Sequence, residues 1–362
     1  MRHMVQKQKV MKGKDPMRIT MAHGGGGKDS ADLMKNIFGK YFGNEILDKM
    51  EDAAVIDPFL LCDMENKKMG KLACSTDSFV VTPLEFPGGD IGKLCVCGTL
   101  NDLLMMGAKP LYITCGFIME EGLETDLLER IVSSMAETAK EAGIKIIAGD
   151  TKVIEGSGGL YINTTGMGHV PNGRDISAAN CRKGDKILLS GNLGEHHACI
   201  LSARMEIENG IRSDCAFLSD VTETLLDAGI NVRTMRDVTR GGLATVLNEI
   251  AESSCCEMVI REKDIPVSPD VKGLTDILGL DPMYMANEGK MIAVIPEEEA
   301  ETALDSVKKT VHGKDAVIIG EVSEILKGSA TSDTDARVKL ITHLGGTRVL
   351  DMLYGEGLPR IC

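Results

Sequence analysis

One segment, Ile91 to Met106 (IGKLCVCGTLNDLLMM), limits the folds open to this chain more than any other, because it reads as a helix that is apolar nearly all round. A helix with a single apolar stripe can lie on a surface, whereas one apolar on every side must be enclosed by other elements. Asp90 is placed to cap its N-terminus, and Gly107 with Pro110 ends it. Only Asn101 and Asp102 interrupt its apolar C-terminal half. A buried carboxylate without a partner costs several kcal/mol or takes up a proton, and a divalent cation would remove that cost.

The surrounding chain supplies the enclosure. From Ile19 to about Val170, strands and helices alternate: strands are expected at 53–56, at KLACSTDSFVV and at PLYITCGFIM, and a helix over ETDLLERIVSSMAETAKEAG. That helix has Leu127, Leu128, Ile131, Met135 and Ala139 on one face and Gly143 as its stop. Strands at IKIIAGDT and GLYINTTGMGHV close this half, and turn residues across 171–184 mark a boundary. The second half reads as a strand KILLSGNLG, a helix from about His196 to Met205, helices near 215–228 and 240–252, strands EMVIR, KMIAVI and AVIIGEVS, and an exposed helix PEEEAETALDSVKK. Mixed strands and helices in both halves predict a two-domain α/β (α+β) protein. The divisions are 1–16 as a disordered extension, 17–175, 176–345, and 346–362 as a flexible tail.

Charge and composition narrow the function. At 362 residues the chain suits two domains, each able to bury a core. A net charge of -14 repels a polyphosphate, and with no Trp and 3% aromatic residues base stacking is poorly supplied, so nucleic acid is disfavoured. No run of uncharged apolar residues is long enough to span a membrane, and the basic start lacks the apolar core of a secretory signal. Eleven cysteines without a C-x-x-C pair fit buried small hydrophobes in a reducing cytoplasm.

Several stretches carry chemistry. AHGGGGKDS places His23 and four glycines ahead of a helix, where backbone amides can crowd round a phosphate, although the spacing is not that of a P-loop and such a run alone is an ordinary flexible loop. Asp52, Asp77, Asp102, Asp150 and Asp237 recur where strands or apolar helices belong; singly, each reads as a cap, a turn or a surface carboxylate. Together beside a glycine loop they suit a nucleotide with Mg²⁺, which is typically held by one or two carboxylates plus substrate phosphates. Lys152 follows Asp150 by two residues, Glu288 stands at a Gly-marked turn before an apolar strand, and DVTRGGLA opens a helix with paired glycines. His196 and His197 are adjacent and diverge on a helix, so they do not share a metal. The sequence ends YGEGLPRIC, delivering Cys362 on a run with two glycines and a proline. By composition alone that cysteine is chance.

These motifs, in this order across about residues 17 to 362, resemble the ATP-binding superfamily of aminoimidazole ribonucleotide synthetase, selenophosphate synthetase and thiamine monophosphate kinase. Within it, AHGGGGK, AGDTKV, RDVTRGGLATVLNEIA, ANEGK and above all the terminal PRIC resemble the HypE family of hydrogenase maturation proteins. The resemblance implies a cytoplasmic homodimer joined through N-terminal sheets that bind ATP and Mg²⁺, with a mixed α/β second domain. It implies ATP-dependent dehydration of an S-carbamoyl group on Cys362 to a thiocyanate. A carbamoyltransferase, HypF, would load the group, and the cyanide would pass to iron on a HypC and HypD complex for [NiFe] hydrogenase. By motif, it implies metal positions at Asp52, Asp77, Asp102 and Asp237. Nucleotide positions would be His23, Gly24, Gly25, Gly26, Gly27, Asn101, Asp150, Thr151, Arg240, Gly241 and Gly242. Glu288 would be the base, Lys152 would orient the reacting group, and Cys362 would carry the substrate. The chain departs from the pattern at Glu51, at GEHH and in its fourth loop glycine. A selenophosphate synthetase or small-molecule kinase of the same superfamily is the alternative; the loop lacks the reactive Cys of the former, and both would leave Cys362 idle. An ATP-regulated scaffold that only passes on a modified cysteine is the non-enzymatic reading.

Overall fold

A computed structural model describes residues 17–24, 28–49, 54, 62–63, 68–326 and 337–352. The strand expected at 53–56 lies almost wholly outside these residues, as do Gly25, Gly26, Gly27, Asp52 and Cys362.

The first half is a four-stranded sheet with helices on one face. In chain order it runs β1 (Lys71–Phe79), α1 (Ile91–Met105), β2 (Lys109–Glu120), α2 (Thr125–Glu141), β3 (Lys145–Ile154) and β4 (Leu160–Val170), with sheet order β1-β4-β2-β3. Only β2 and β3 are parallel, and α2 is the crossover such a pair requires. The enclosed helix is α1: every residue but Lys93 and Asp102 is buried. Asp90 caps it, its Oδ1 accepting from the amides of Gly92 at 2.7 Å and Lys93 at 2.9 Å. Gly92 lets α2 cross closely, because a Cβ there would lie 2.4 Å from the carbonyl of Ile131. Leu94, Leu100 and Leu103 are essentially fully buried, and each such side chain contributes roughly 1.5–3 kcal/mol.

The second half is a seven-stranded sheet covered on both faces. Its elements are β5 (Lys186–Leu189), α3 (Glu195–Arg204), α4 (Ser219–Asp227), β6 (Thr234–Asp237), α5 (Gly242–Ser253), β7 (Cys256–Arg261), α6 (Pro269–Leu278), β8 (Met291–Ile295), α7 (Ala300–Val307), β9 (Val317–Ile325), β10 (Arg337–Ile341) and β11 (Thr347–Val349). The order is β6-β8-β5-β9-β7-β10-β11, with β7 and β10 parallel. β8 is buried at all five positions, as a continuous apolar run requires. One core lies under α5 and a second under α4 and α7. Leu104 and Met105 of α1 belong to the latter, so the apolar helix is enclosed by its own sheet, by α2 and by the second half. The helix expected over 296–309 is regular only at Ala300–Val307, with Ala300, Ala303 and Val307 turned into that core. Strands β6, β10 and β11 and helix α6 add to the expected elements.

The other face of the first sheet is open. Leu72, Cys74, Thr76 and Ser78 on β1, Tyr161 and Asn163 on β4, and Ile118 on β2 are exposed on it. Asn163 donates to Ser78 Oγ at 3.0 Å and Thr165 to Thr76 Oγ1 at 3.0 Å across this surface.

Candidate active site between the two halves

Where α1 meets the second half, a cavity of about 700 Å³ opens between β1, α1, the end of β6 and the start of α5. Three of the carboxylates picked out in the sequence line it: Asp77, Asp102 and Asp237. Alternation along β1 turns Ser75 and Asp77 toward the helix, and Ser75 Oγ donates to Asp102 Oδ2. Asp102 thus sits where the C-terminal part of α1, with Leu103 and Met105, reaches the cavity. Burial, reinforced by the charge of Asp102, raises Asp77 to about 6, with the Arg240 guanidinium opposing the rise. The same two causes raise Asp237 to about 7. Asp77 and Asp237 are therefore crowded against Asp102 with too little positive charge nearby to offset it. Among the described residues, no three His, Cys, Asp or Glu side chains converge closely enough to hold a cation alone.

The paired glycines set the start of α5, where Gly241 lines the cavity. Gly241 (φ 78°) and Gly242 (φ 64°) both take the left-handed conformation at the start of α5, which glycine adopts without steric cost. A Cβ on Gly242 would meet the carbonyl of Met283 at 2.6 Å, so the helix can begin here only with glycine. Arg240 and Gly241 line the cavity, and Arg236 with Glu249 forms an ion pair beside them.

Glu288, at the Gly-marked turn before β8, is buried, 5% exposed. Its turn is laced to the strand bearing Asp237: the Asn287 amide donates to Val238 O at 3.0 Å, and the Val238 amide to Lys290 O at 2.8 Å. Burial pushes the Glu288 carboxyl well above its ordinary value, and the charges of Asp214, Asp237 and Asp77 act in the same direction. The base expected from the sequence thus stands within electrostatic reach of the acidic cavity.

The remaining sequence candidates are placed elsewhere. Asn101 is 2% exposed and spends its amide on the backbone, donating to Ala216 O at 2.9 Å and accepting from Leu218 N at 3.0 Å; it ties the halves together rather than facing the cavity. Asp150, Thr151 and Lys152 lie on β3, at the opposite edge of the first sheet from Asp77. Asp150 pairs with Gly116 and Lys152 with Ile118, so both side chains share the sheet's open face, where they form an exposed ion pair at 2.5 Å. His23 belongs to a turn, Met21–Gly24, that packs on β3, and its Nδ1 accepts from the Thr20 amide at 3.1 Å. Within one chain the candidates therefore form two groups: Asp77, Asp102, Asp237, Arg240 and Gly241 line the cavity, with Glu288 buried within electrostatic reach of it, and His23, Gly24, Asp150, Thr151 and Lys152 lie at the far edge. Sequence reasoning passed over Ser75 and the Arg236–Glu249 pair, whose only signal was proximity to an aspartate.

Residues 50–170 match the family model of the AIR synthase related protein N-terminal domain, and residues 182–331 that of its C-terminal domain. The carbamoyl dehydratase HypE of Rhodobacter capsulatus is 44% identical over 353 residues, covering 95% of this chain and 98% of the relative. The crystal structure of a HypE in complex with ATP superimposes with a TM-score of 0.86 at 44% identity, covering 94% of this chain and 99% of that one. The HypE in a HypE–HypF complex gives a TM-score of 0.73 at 43% identity, over 89% of this chain and 99% of that one. A fold and a sequence that agree along nearly the whole chain place this protein in the HypE family of carbamoyl dehydratases.

Proposed function

We propose that this chain uses ATP to dehydrate an S-carbamoyl group on its own Cys362 to a thiocyanate, furnishing cyanide for the iron of [NiFe] hydrogenase. The observation that carries the reading is the gathering of Asp77, Asp102 and Asp237 round the cavity, beside a buried Glu288, in a chain that ends on cysteine. The balance is R–S–C(=O)NH₂ + ATP → R–S–C≡N + ADP + phosphate. ATP supplies the phosphoryl group that makes the amide oxygen a good leaving group. Arg240 and the amides at the start of α5 suit the phosphates. Asp77, Asp102 and Asp237 offer hard oxygen ligands that would hold Mg²⁺ beside the nucleotide, and the ion would relieve their crowding and help neutralise phosphate charge. Glu288 takes the amide protons, and Lys152 orients the reacting group. The test is the mass of the carbamoylated tail before and after MgATP.

A homodimer reconciles the two groups of residues. Asp150 and Lys152 are three strand positions from Asp77 on the sheet, about 14 Å at ordinary strand spacing, and they face away from its helices. A second copy applied to that open face by a two-fold axis carries its β3 edge toward the first copy's β1 edge. Each active site then draws its carboxylates from one chain and its Asp150–Lys152 edge from the other. The HypE–HypF complex supports HypF as a partner of this chain, and the proposed reaction gives it the role of carbamoyl donor. Delivery to HypC and HypD follows from the same reading.

The cation reading has a pH signature. Folded Asp77 and Asp237 keep their protons to about 6 and about 7, against 3.8 without the fold. Between those values the folded state binds more protons, so metal-free stability falls as pH rises through this window. Thermal unfolding is expected to occur several degrees lower at pH 8 than at pH 5.5, with MgATP restoring most of the loss at pH 8. An Asp102→Asn variant should flatten the slope; a metal-free protein that gains stability across the window contradicts the reading.

A further inference from the structure

Three consecutive residues, Glu288, Gly289 and Lys290, converge on one buried carboxylate outside the cavity. Asp214 Oδ1 accepts from the Glu288 amide at 3.1 Å; its Oδ2 accepts from the Gly289 amide at 3.3 Å and from Lys290 Nζ at 3.1 Å. The Asp214 side chain is 2% exposed and that of Lys290 11%. Lys290 Nζ has a second anionic partner, Glu195 at 3.3 Å, in the first turn of α3. Glycine is required at 289, since a Cβ would lie 1.8 Å from the carbonyl oxygen of Asp214. The Glu288 carbonyl accepts from the Ala216 amide at 3.3 Å, so both peptide groups flanking its side chain are pinned to the segment 214–216.

A buried ion pair of this kind is a poor source of stability, because desolvation offsets the attraction. The apolar strand β8, which begins one residue later, needs no such device to fold. What the pair does fix is the backbone from which the Glu288 side chain leaves. Neighbouring His196, whose Nδ1 pairs with Ser213 Oγ at 2.8 Å, is kept neutral by its burial, so Lys290 is the cation that balances Asp214.

We propose that Asp214 and Lys290 are positioning residues that clamp the 288–290 turn and aim the Glu288 carboxyl at the reacting amide. The proposal rests on the reading of Glu288 as the base. Misplacing a reacting group by about 1 Å costs up to about 100-fold in rate, so the clamp acts on the chemical step and not on ATP binding.

The test uses the full-length protein carrying Asp214→Asn together with Lys290→Met, which removes both charges at once and leaves Asn to accept from the Glu288 amide. Single-turnover dehydration of the carbamoylated tail at saturating MgATP is expected to slow about 10- to 100-fold, while the ATP concentration for half-maximal rate stays within about twofold. In a Glu288→Gln background the same pair should leave the residual rate essentially unchanged. A parental rate in the double variant overturns the proposal, as does a full drop that recurs without Glu288. A parental rate in Glu288→Gln alone overturns instead the reading beneath it. If the double variant does not fold, amide exchange in the parent decides: the Glu288 and Gly289 amides are expected to exchange as slowly as those of β8, and exchange at exposed-loop rates overturns the clamp.

Discussion

With Cys362 replaced by Ala, the protein is expected to fold normally, bind ATP as tightly as the parent and make no thiocyanate. Among the described residues Leu350 is the last in chain order of the second core, and Cys362 follows it by twelve positions in the sequence. The cavity carboxylates, Arg240 and Gly241 are all in the body of the protein. On the proposed reaction, substitution therefore removes the acceptor of the carbamoyl group and leaves the cavity residues in place. Thermal unfolding, ATP titration and product analysis on one preparation check the three parts separately. Turnover of a small-molecule acceptor by the Cys362→Ala protein would contradict the role assigned to the tail and favour a kinase of the same superfamily.

The second large effect concerns how the site is shared. Asp102→Asn is expected to reduce dehydration about 10³-fold, because the cation proposed to bind with the phosphates would lose a central ligand. Asp150→Asn combined with Lys152→Ala is expected to reduce it comparably from the opposite sheet edge. Mixing the two variant chains then separates the possibilities. If each site draws on both chains, a mixed dimer contains one site with every residue intact, and random assortment restores about a quarter of parental activity. If each chain builds its whole site alone, mixing restores nothing. Subunits must be exchanged before assay, with the fraction of mixed dimer measured by differential tagging.

Periodicity was enough to read most of this fold. The amphipathic face of α2, the all-round apolar α1 with its Asp90 cap, and the buried run of β8 each have one structural solution, and each is formed as expected. What was missed was short or set by partners. β6 has four residues, and its pairing with β8 defines it; β10 and β11 acquire their identity from β7 across the sheet. Helix α6 did carry a local signal, Ser268 and Pro269 at its start and Gly279 in left-handed conformation at its end, but its few apolar positions hid it. At the site, Asp102 was conspicuous because it broke an apolar helix, and Glu288 because a glycine turn preceded an apolar strand. No sequence pattern could show that Asn101, next to Asp102, turns to the backbone of the other half, since one step along a helix is about 100° of rotation. Nor could it place Asp150 and Lys152 on the far edge of the sheet, which depends on strand order. Asp214 escaped notice because its role is to receive the amides of residues distant in the chain.

The most direct test follows the mass of the C-terminal peptide. The full-length protein, carbamoylated on Cys362, is incubated with MgATP under single-turnover conditions, and the tail is released by proteolysis. The peptide is expected to lose the mass of one water, stoichiometrically with ADP formation, and not to do so when ATP is replaced by a non-hydrolysable analogue. A tail that keeps its full carbamoyl mass while ATP is consumed would contradict the proposed reaction.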